Sequence, residues 1–107
     1  MKVLMLALCF TSAAEAIQLR PGTYQCGGCI ANVIPVSART IRVSPGRGCS
    51  DFGKIYTFTK NSSIGADAFE NTRTTERYGT FTAYMFLESP TNYTFHGNTS
   101  HTICVKI

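Results

Sequence analysis

Before residue 17 the hydrophobic positions run together, and after it they come in short bursts broken by Gly, Pro, Asn and Ser. Val3 to Phe10 is an unbroken apolar run, preceded by Lys2 and followed by the small and polar stretch Thr11 to Ala16. That stretch ends Ala14-Glu15-Ala16, the small-x-small pattern a signal peptidase requires because its pocket takes only small side chains at those two positions. The run is too short for a membrane anchor, since a hydrocarbon core of ~30 Å takes roughly twenty apolar residues to cross as a helix. Residues 1–16 therefore read as a cleaved secretory leader and residues 17–107 as one domain.

Within that domain the pattern predicts one helix followed by strands. Asn32 to Val43 carries Ile34, Ala38 and Ile41 at i, i+4 and i+7, with Arg39 and Arg42 pointing elsewhere. Asn32 is an acceptable N-cap, Pro35 is tolerated in a first turn, and Ser44-Pro45-Gly46 stops the segment. Lys54 to Thr59 is rich in Tyr, Phe, Thr and Ile and reads as a strand. Thr80 to Leu87 is the strongest strand: Phe81, Ala83, Met85 and Leu87 share one face, Tyr84 and Phe86 the other. Apolar on both faces, it is expected to be central and covered on both sides. Asn92 to Phe95 and Thr102 to Val105 read as two more strands, and the polar stretch Asn61 to Gly79 as a long loop. The fold class expected is α+β, with one short helix packed on a curved antiparallel sheet.

A domain of this length has a small core and often needs staples. Of the five cysteines, Cys9 leaves with the leader, and Cys26, Cys29, Cys49 and Cys104 travel an oxidising route. Four cysteines permit three pairings, and spacing does not choose among them. Cys26-Gly27-Gly28-Cys29 is formally a C-x-x-C. A redox motif of that kind opens a helix after a strand, and none is expected before Cys26. A zinc site would need a second pair of ligands at metal spacing, which Cys49, Cys104, His96 and His101 do not provide. Structural disulfides are the expectation, with no metal and no cofactor. Asn61, Asn92 and Asn98 each begin an N-x-[ST] triplet and are candidate glycosylation sites.

Charge adds a candidate surface. The net charge is +4, and losing Lys2 and Glu15 leaves it there. Arg39, Arg42, Arg47, Lys54 and Lys60 gather in the first half of the domain, with Tyr56 among them as a stacking face. Such a set favours a phosphate backbone, while the plainer reading is a solvated face.

Tyr24-Gln25-Cys26 just after the leader is a Y-x-C motif, and a last cysteine, Cys104, stands near the end of the chain. With the expected helix-then-sheet order, the chain resembles the ribonuclease-like effectors secreted by powdery mildew fungi, which are similar in fold to fungal guanyl-specific ribonucleases. Those ribonucleases carry Y-x-C-G, matched here by Tyr24 to Gly27. The resemblance covers the layout of the whole mature chain, and few identical residues. It implies a microbial-ribonuclease-like fold with two disulfides, Cys26–Cys104 and, by remainder, Cys29–Cys49.

It does not carry the family's chemistry across. Ribonucleolysis by in-line attack needs a base at the 2′-hydroxyl, an acid at the leaving oxygen and fixed positive charge beside the phosphate. Where the family has Tyr-x-His, this chain has Tyr56-Thr57-Phe58; where its central strand offers a glutamate base, this chain has Ala83. Glu70, Glu76, Arg73, Arg77, His96 and His101 remain as an alternative acid/base set, against the plainer reading of solvated loop charges and a hairpin rim. The resemblance thus implies a non-catalytic secreted effector, a monomer free of membranes once its leader is cut. It would be delivered into host cells, bind a host protein, and bind RNA weakly. Two other readings stand beside it: an active small ribonuclease with a rearranged site, and an unrelated disulfide-rich secreted defence or adhesion protein.

Overall fold

Residues 16–107 are described by a computed structural model; the leader expected over residues 1–16 lies outside them except for Ala16. Eight strands follow in sequence: β1 (Gly22–Cys26), β2 (Cys29–Ser37), β3 (Thr40–Pro45), β4 (Tyr56–Lys60), β5 (Ala68–Thr75), β6 (Gly79–Ser89), β7 (Asn92–His96) and β8 (His101–Lys106). Each pairs antiparallel with the next, and β8 returns to β1, so the sheet closes as an up-and-down barrel.

This corrects the α+β expectation: among the described residues there is no helix. The segment expected to be helical, Asn32 to Val43, is most of the β2–β3 hairpin, turning at Ala38-Arg39. Val33, Ile34, Val36, Thr40, Ile41 and Val43 are β-branched, which lowers helix propensity and suits a pleated surface. The period that matters there is two: Ala31, Val33, Ile41 and Val43 are buried, while Ile34 and Ala38 of the supposed helical stripe are exposed. Pro35 costs the ladder little because the register shifts between Pro35 and Ser37. The polar stretch expected to be loop contains β5, whose partner is β6 from Ala68↔Phe86 to Thr75↔Gly79. Its outer face is held by hydroxyl pairs, Thr72 with Thr82 at 2.9 Å and Thr74 with Thr80 at 2.8 Å. A strand also precedes the C-x-x-C: Cys26 and Cys29 face each other across a two-residue turn, with Gly27 at φ 64° as its first residue.

The core is the inside of the barrel. Tyr24, Val33, Phe58, Met85, Tyr93 and Cys104 are the largest fully buried side chains, and Tyr24 and Tyr93 pack at 5.3 Å between ring centroids. β6 is a wall strand with Ala83, Met85 and Leu87 turned inward. Its outer residues Tyr84 and Phe86 are only half-buried and stack on each other at 6.1 Å, and among the described residues no second layer lies over them. Burial of the two phenols, with no ordinary water contact, raises the pKa of Tyr24 and raises that of Tyr93 much further.

The two ends of the barrel differ. The end holding the turn at 38–39, the loop 61–67 and the turn at 90–91 is closed by the chain that enters β1. Leu19 is buried there, Ile17 packs against the core, and the Arg20 amide donates to the Pro90 carbonyl at 2.8 Å. The Tyr24 hydroxyl of the Y-x-C motif donates to the Arg20 carbonyl at 2.7 Å, so this tyrosine anchors the floor. The other end is open.

Candidate functional site

The open end is built by the turn at 27–28, the loop 46–55, the turn at 76–78 and the turn at 97–100. Two bonds fix its geometry. Cys26–Cys104 joins β1 to β8 and seals the seam of the barrel, and Cys29–Cys49 ties the long 46–55 loop to β2. Gly48 lets that loop lie on the neighbouring turn: its φ is 84°, and a Cβ there would drive into the Gly28 carbonyl oxygen.

A cavity of about 480 Å³ opens between these segments. Its floor is core: Ala31, Val43, Phe58, Tyr93 and Cys104. Its walls are largely aromatic, from Tyr56, Phe81 and Phe95, with half-exposed Tyr78 at the lip. Phe58 and Phe95 meet edge to face at 6.3 Å.

One cation sits inside. Arg73 follows Phe69 and Asn71 on the inward face of β5, where period two puts every second side chain in the barrel. It is there because the wall parts: β4 and β5 pair only at Thr59↔Glu70 and Lys60↔Phe69, then diverge toward the open end. Asn71 spans the gap by donating from Nδ2 to the Thr57 carbonyl at 2.8 Å, and Arg73 donates from Nε to Asn71 Oδ1 at 2.8 Å. The guanidinium carbon lies over the Tyr56 ring, 3.6 Å from its centroid, with Phe58 at 5.7 Å and Phe81 at 5.9 Å. Its Nη1 reaches Asp51 on the 46–55 loop at 3.6 Å, where the side chains are 11% and 31% exposed. Its Nη2 is buried and has no hydrogen-bond partner. Burial lowers the Arg73 pKa from its ordinary value, opposed by Tyr56 and Asp51, yet a guanidinium stays charged. Burial also raises the Tyr56 phenol, helped by the Asp51 carboxylate. A guanidinium nitrogen without a partner in an aromatic cavity combines positive charge with apolar surface, the chemistry that an anionic group on an apolar body would meet.

The residues singled out from sequence are spread around the molecule. Arg39 and Lys60 lie at the closed end, where the Lys60 amide donates to the Arg39 carbonyl at 2.8 Å and its ammonium stands over Phe69 at 6.0 Å. Arg42 is exposed on the outer wall, opposite Thr57, and Arg47 and Lys54 are exposed on the 46–55 loop. Tyr56 points into the cavity with Arg73 on its ring, so it is not a free stacking face. Glu70 accepts from Asn61 Nδ2 at 3.1 Å, Glu76 and Arg77 are exposed in the β5–β6 turn, and Arg77 lies over Tyr78 at 5.5 Å. His96 and His101 stack at 4.2 Å across the β7–β8 hairpin beside Phe86. None of Glu70, Glu76, His96 or His101 lines the cavity, and among the described residues its only carboxylate is Asp51. Among the described residues no three His, Cys, Asp or Glu gather as a metal cluster. Of the sequons, Asn61 is engaged with Glu70 and Ser63, and Asn92 with Ser89, whereas Asn98 is exposed at the cavity lip.

Sequence reasoning placed Arg73 among solvated loop charges and passed over Asp51. The signal was the alternation Phe69-x-Asn71-x-Arg73-x-Thr75 against an opposite face of Glu70, Thr72 and Thr74, a strand pattern written in polar residues. No family model, no curated protein and no solved structure matches the chain.

Proposed function

We propose that this chain is a secreted binding protein that takes a small anion with a planar apolar body into the open end of its barrel, with Arg73 as the charge receptor. The observation that carries the reading is the buried, unpartnered Nη2 of Arg73 between aromatic walls. Leaving such a donor unpaired costs about 1–3 kcal/mol, which a ligand oxygen recovers. Barrels of eight strands have room for one small ligand at the mouth, and the cavity of about 480 Å³ matches small-molecule sites. Binding rather than turnover is proposed because no acid and base face each other across this cavity: its lining has one carboxylate and no histidine. The wider proposal of an effector acting on a host partner keeps the leader and the Y-x-C motif. It no longer has a ribonuclease-like frame: Tyr24 and the Cys26–Cys104 bond here serve a barrel.

The test uses 8-anilinonaphthalene-1-sulfonate as the aromatic anion, with fluorescence and calorimetry on the folded protein. Saturable one-to-one binding is expected, weakened at least tenfold in Arg73→Met and absent for the uncharged parent amine. Equal binding by Arg73→Met with an unchanged melting profile removes Arg73 as receptor and the proposal with it.

A further inference from the structure

The closed end holds a group that belongs to the precursor and changes when the precursor is cut. The backbone nitrogen of Ile17 donates to Asp67 Oδ1 at 2.9 Å, across fifty positions of sequence. Asp67 is itself fixed, because its carbonyl accepts from the Leu87 amide at 3.0 Å. The Ile17 side chain packs against the core, Leu19 two residues on is buried, and Ala16 is exposed. The residue after the small-x-small pattern is therefore the first one the barrel needs. A cut two residues later would remove a floor residue, and a cut earlier would leave extra chain on the nitrogen that Asp67 holds.

We propose that hydrolysis of the Ala16–Ile17 bond is a maturation step that completes the barrel floor, by converting the Ile17 amide into an α-ammonium group that pairs with Asp67. This rests on the secretory reading of the leader. Water adds across the peptide bond: its hydroxyl goes to the Ala16 carbonyl carbon and a hydrogen to the Ile17 nitrogen. The new amine takes a proton from solvent, its ordinary pKa being about 7.7–8.0. The hydrogen bond, charged until then only on its Asp67 acceptor, becomes an ion pair with both partners charged. Lys60 lines the floor pocket beside Ile17, and Asp67 is the carboxylate that already holds the Ile17 nitrogen.

Two measurements separate the cut from the pairing. Intact mass of protein secreted from the full precursor should give a chain starting at Ile17; any other start overturns the cut. A precursor with one serine inserted between Ala16 and Ile17 should yield a chain melting roughly 4–8 °C lower. Selective acetylation of the Ile17 amine should have the same effect, and both differences should vanish in Asp67→Asn. Chains that start at Ile17 but melt no higher than the acetylated or extended forms overturn the ion pair while leaving the cut standing. An acetylation effect that persists in Asp67→Asn overturns it too.

Discussion

Asp51→Asn should make the protein less stable and a better anion binder, both for one reason. Asp51 is the internal counter-ion of Arg73, at 3.6 Å from Nη1 and on a loop tethered to β2 by the Cys29–Cys49 bond and by the backbone hydrogen bonds of Gly46 and Arg47 with Ile30. In a medium of effective dielectric about 20, the attraction of unit charges at that separation is roughly 4–5 kcal/mol before the cost of desolvation. Breaking a fully buried pair costs about 3–5 kcal/mol because one charge is stranded. Asp51 is 31% exposed, so its loss sits lower, at about 1–3 kcal/mol. For a domain of this size each kcal/mol moves Tm by about 4–8 °C. A ligand anion in the native protein must share or displace that carboxylate; in the variant it need not. Recovery of even about 1.4–2.8 kcal/mol is a gain of ten- to a hundredfold in affinity. Calorimetric titration with the sulfonate probe and thermal melts with and without it should therefore move in opposite directions. Unchanged or weaker binding by a folded Asp51→Asn would refute the claim that Asp51 competes with the anion for the Arg73 charge.

Other consequences are as direct. Removing the Cys29–Cys49 bond by paired serine substitution should cost about 3 kcal/mol and the Cys26–Cys104 bond about 4–5 kcal/mol on the chain-entropy model, read by urea melts. Ala83→Asp should not fold, since Ala83 is fully buried inside β6, and normal secretion and melting of that variant would place it elsewhere. Tyr24 and Tyr93 have raised pKa values from burial, so the unfolded chain releases their protons first as pH climbs past 10. Their contribution to stability should be constant below that pH and fall above it, with tyrosinate absorbance appearing together with unfolding. RNA should bind weakly at low salt and not at physiological salt, because its cations are spread over both ends and one wall; retention at physiological salt would show a contiguous phosphate track.

The strands β4, β6, β7 and β8 were legible because their apolar residues alternate, as in Phe81-x-Ala83-x-Met85-x-Leu87. β2 and β3 were not, because a hairpin with Pro35 near its tip places Ile34, Ala38 and Ile41 at helical spacing by accident, and only the β-branched content argued against it. β5 was missed because its outward face is Glu70, Thr72 and Thr74 and its inward face turns polar at Asn71, where the wall parts. The same cause hid the site: a residue that enters a barrel through a gap between strands looks, in sequence, like any charge in a polar stretch. The Y-x-C motif was visible, but its tyrosine anchors a floor, and a motif shared by layout does not fix the frame around it.

The most direct measurement on the pocket is side-chain NMR of Arg73 during titration with the sulfonate probe. The Arg73 Nε and Nη signals should shift progressively to saturation, together with ring signals of Tyr56, Phe81 and Phe95, while Tyr84, Phe86 and His96 on the outer wall stay still. Arg73 signals that hold their positions at saturation, or shifts centred on the outer wall, would contradict an anion seat inside the barrel.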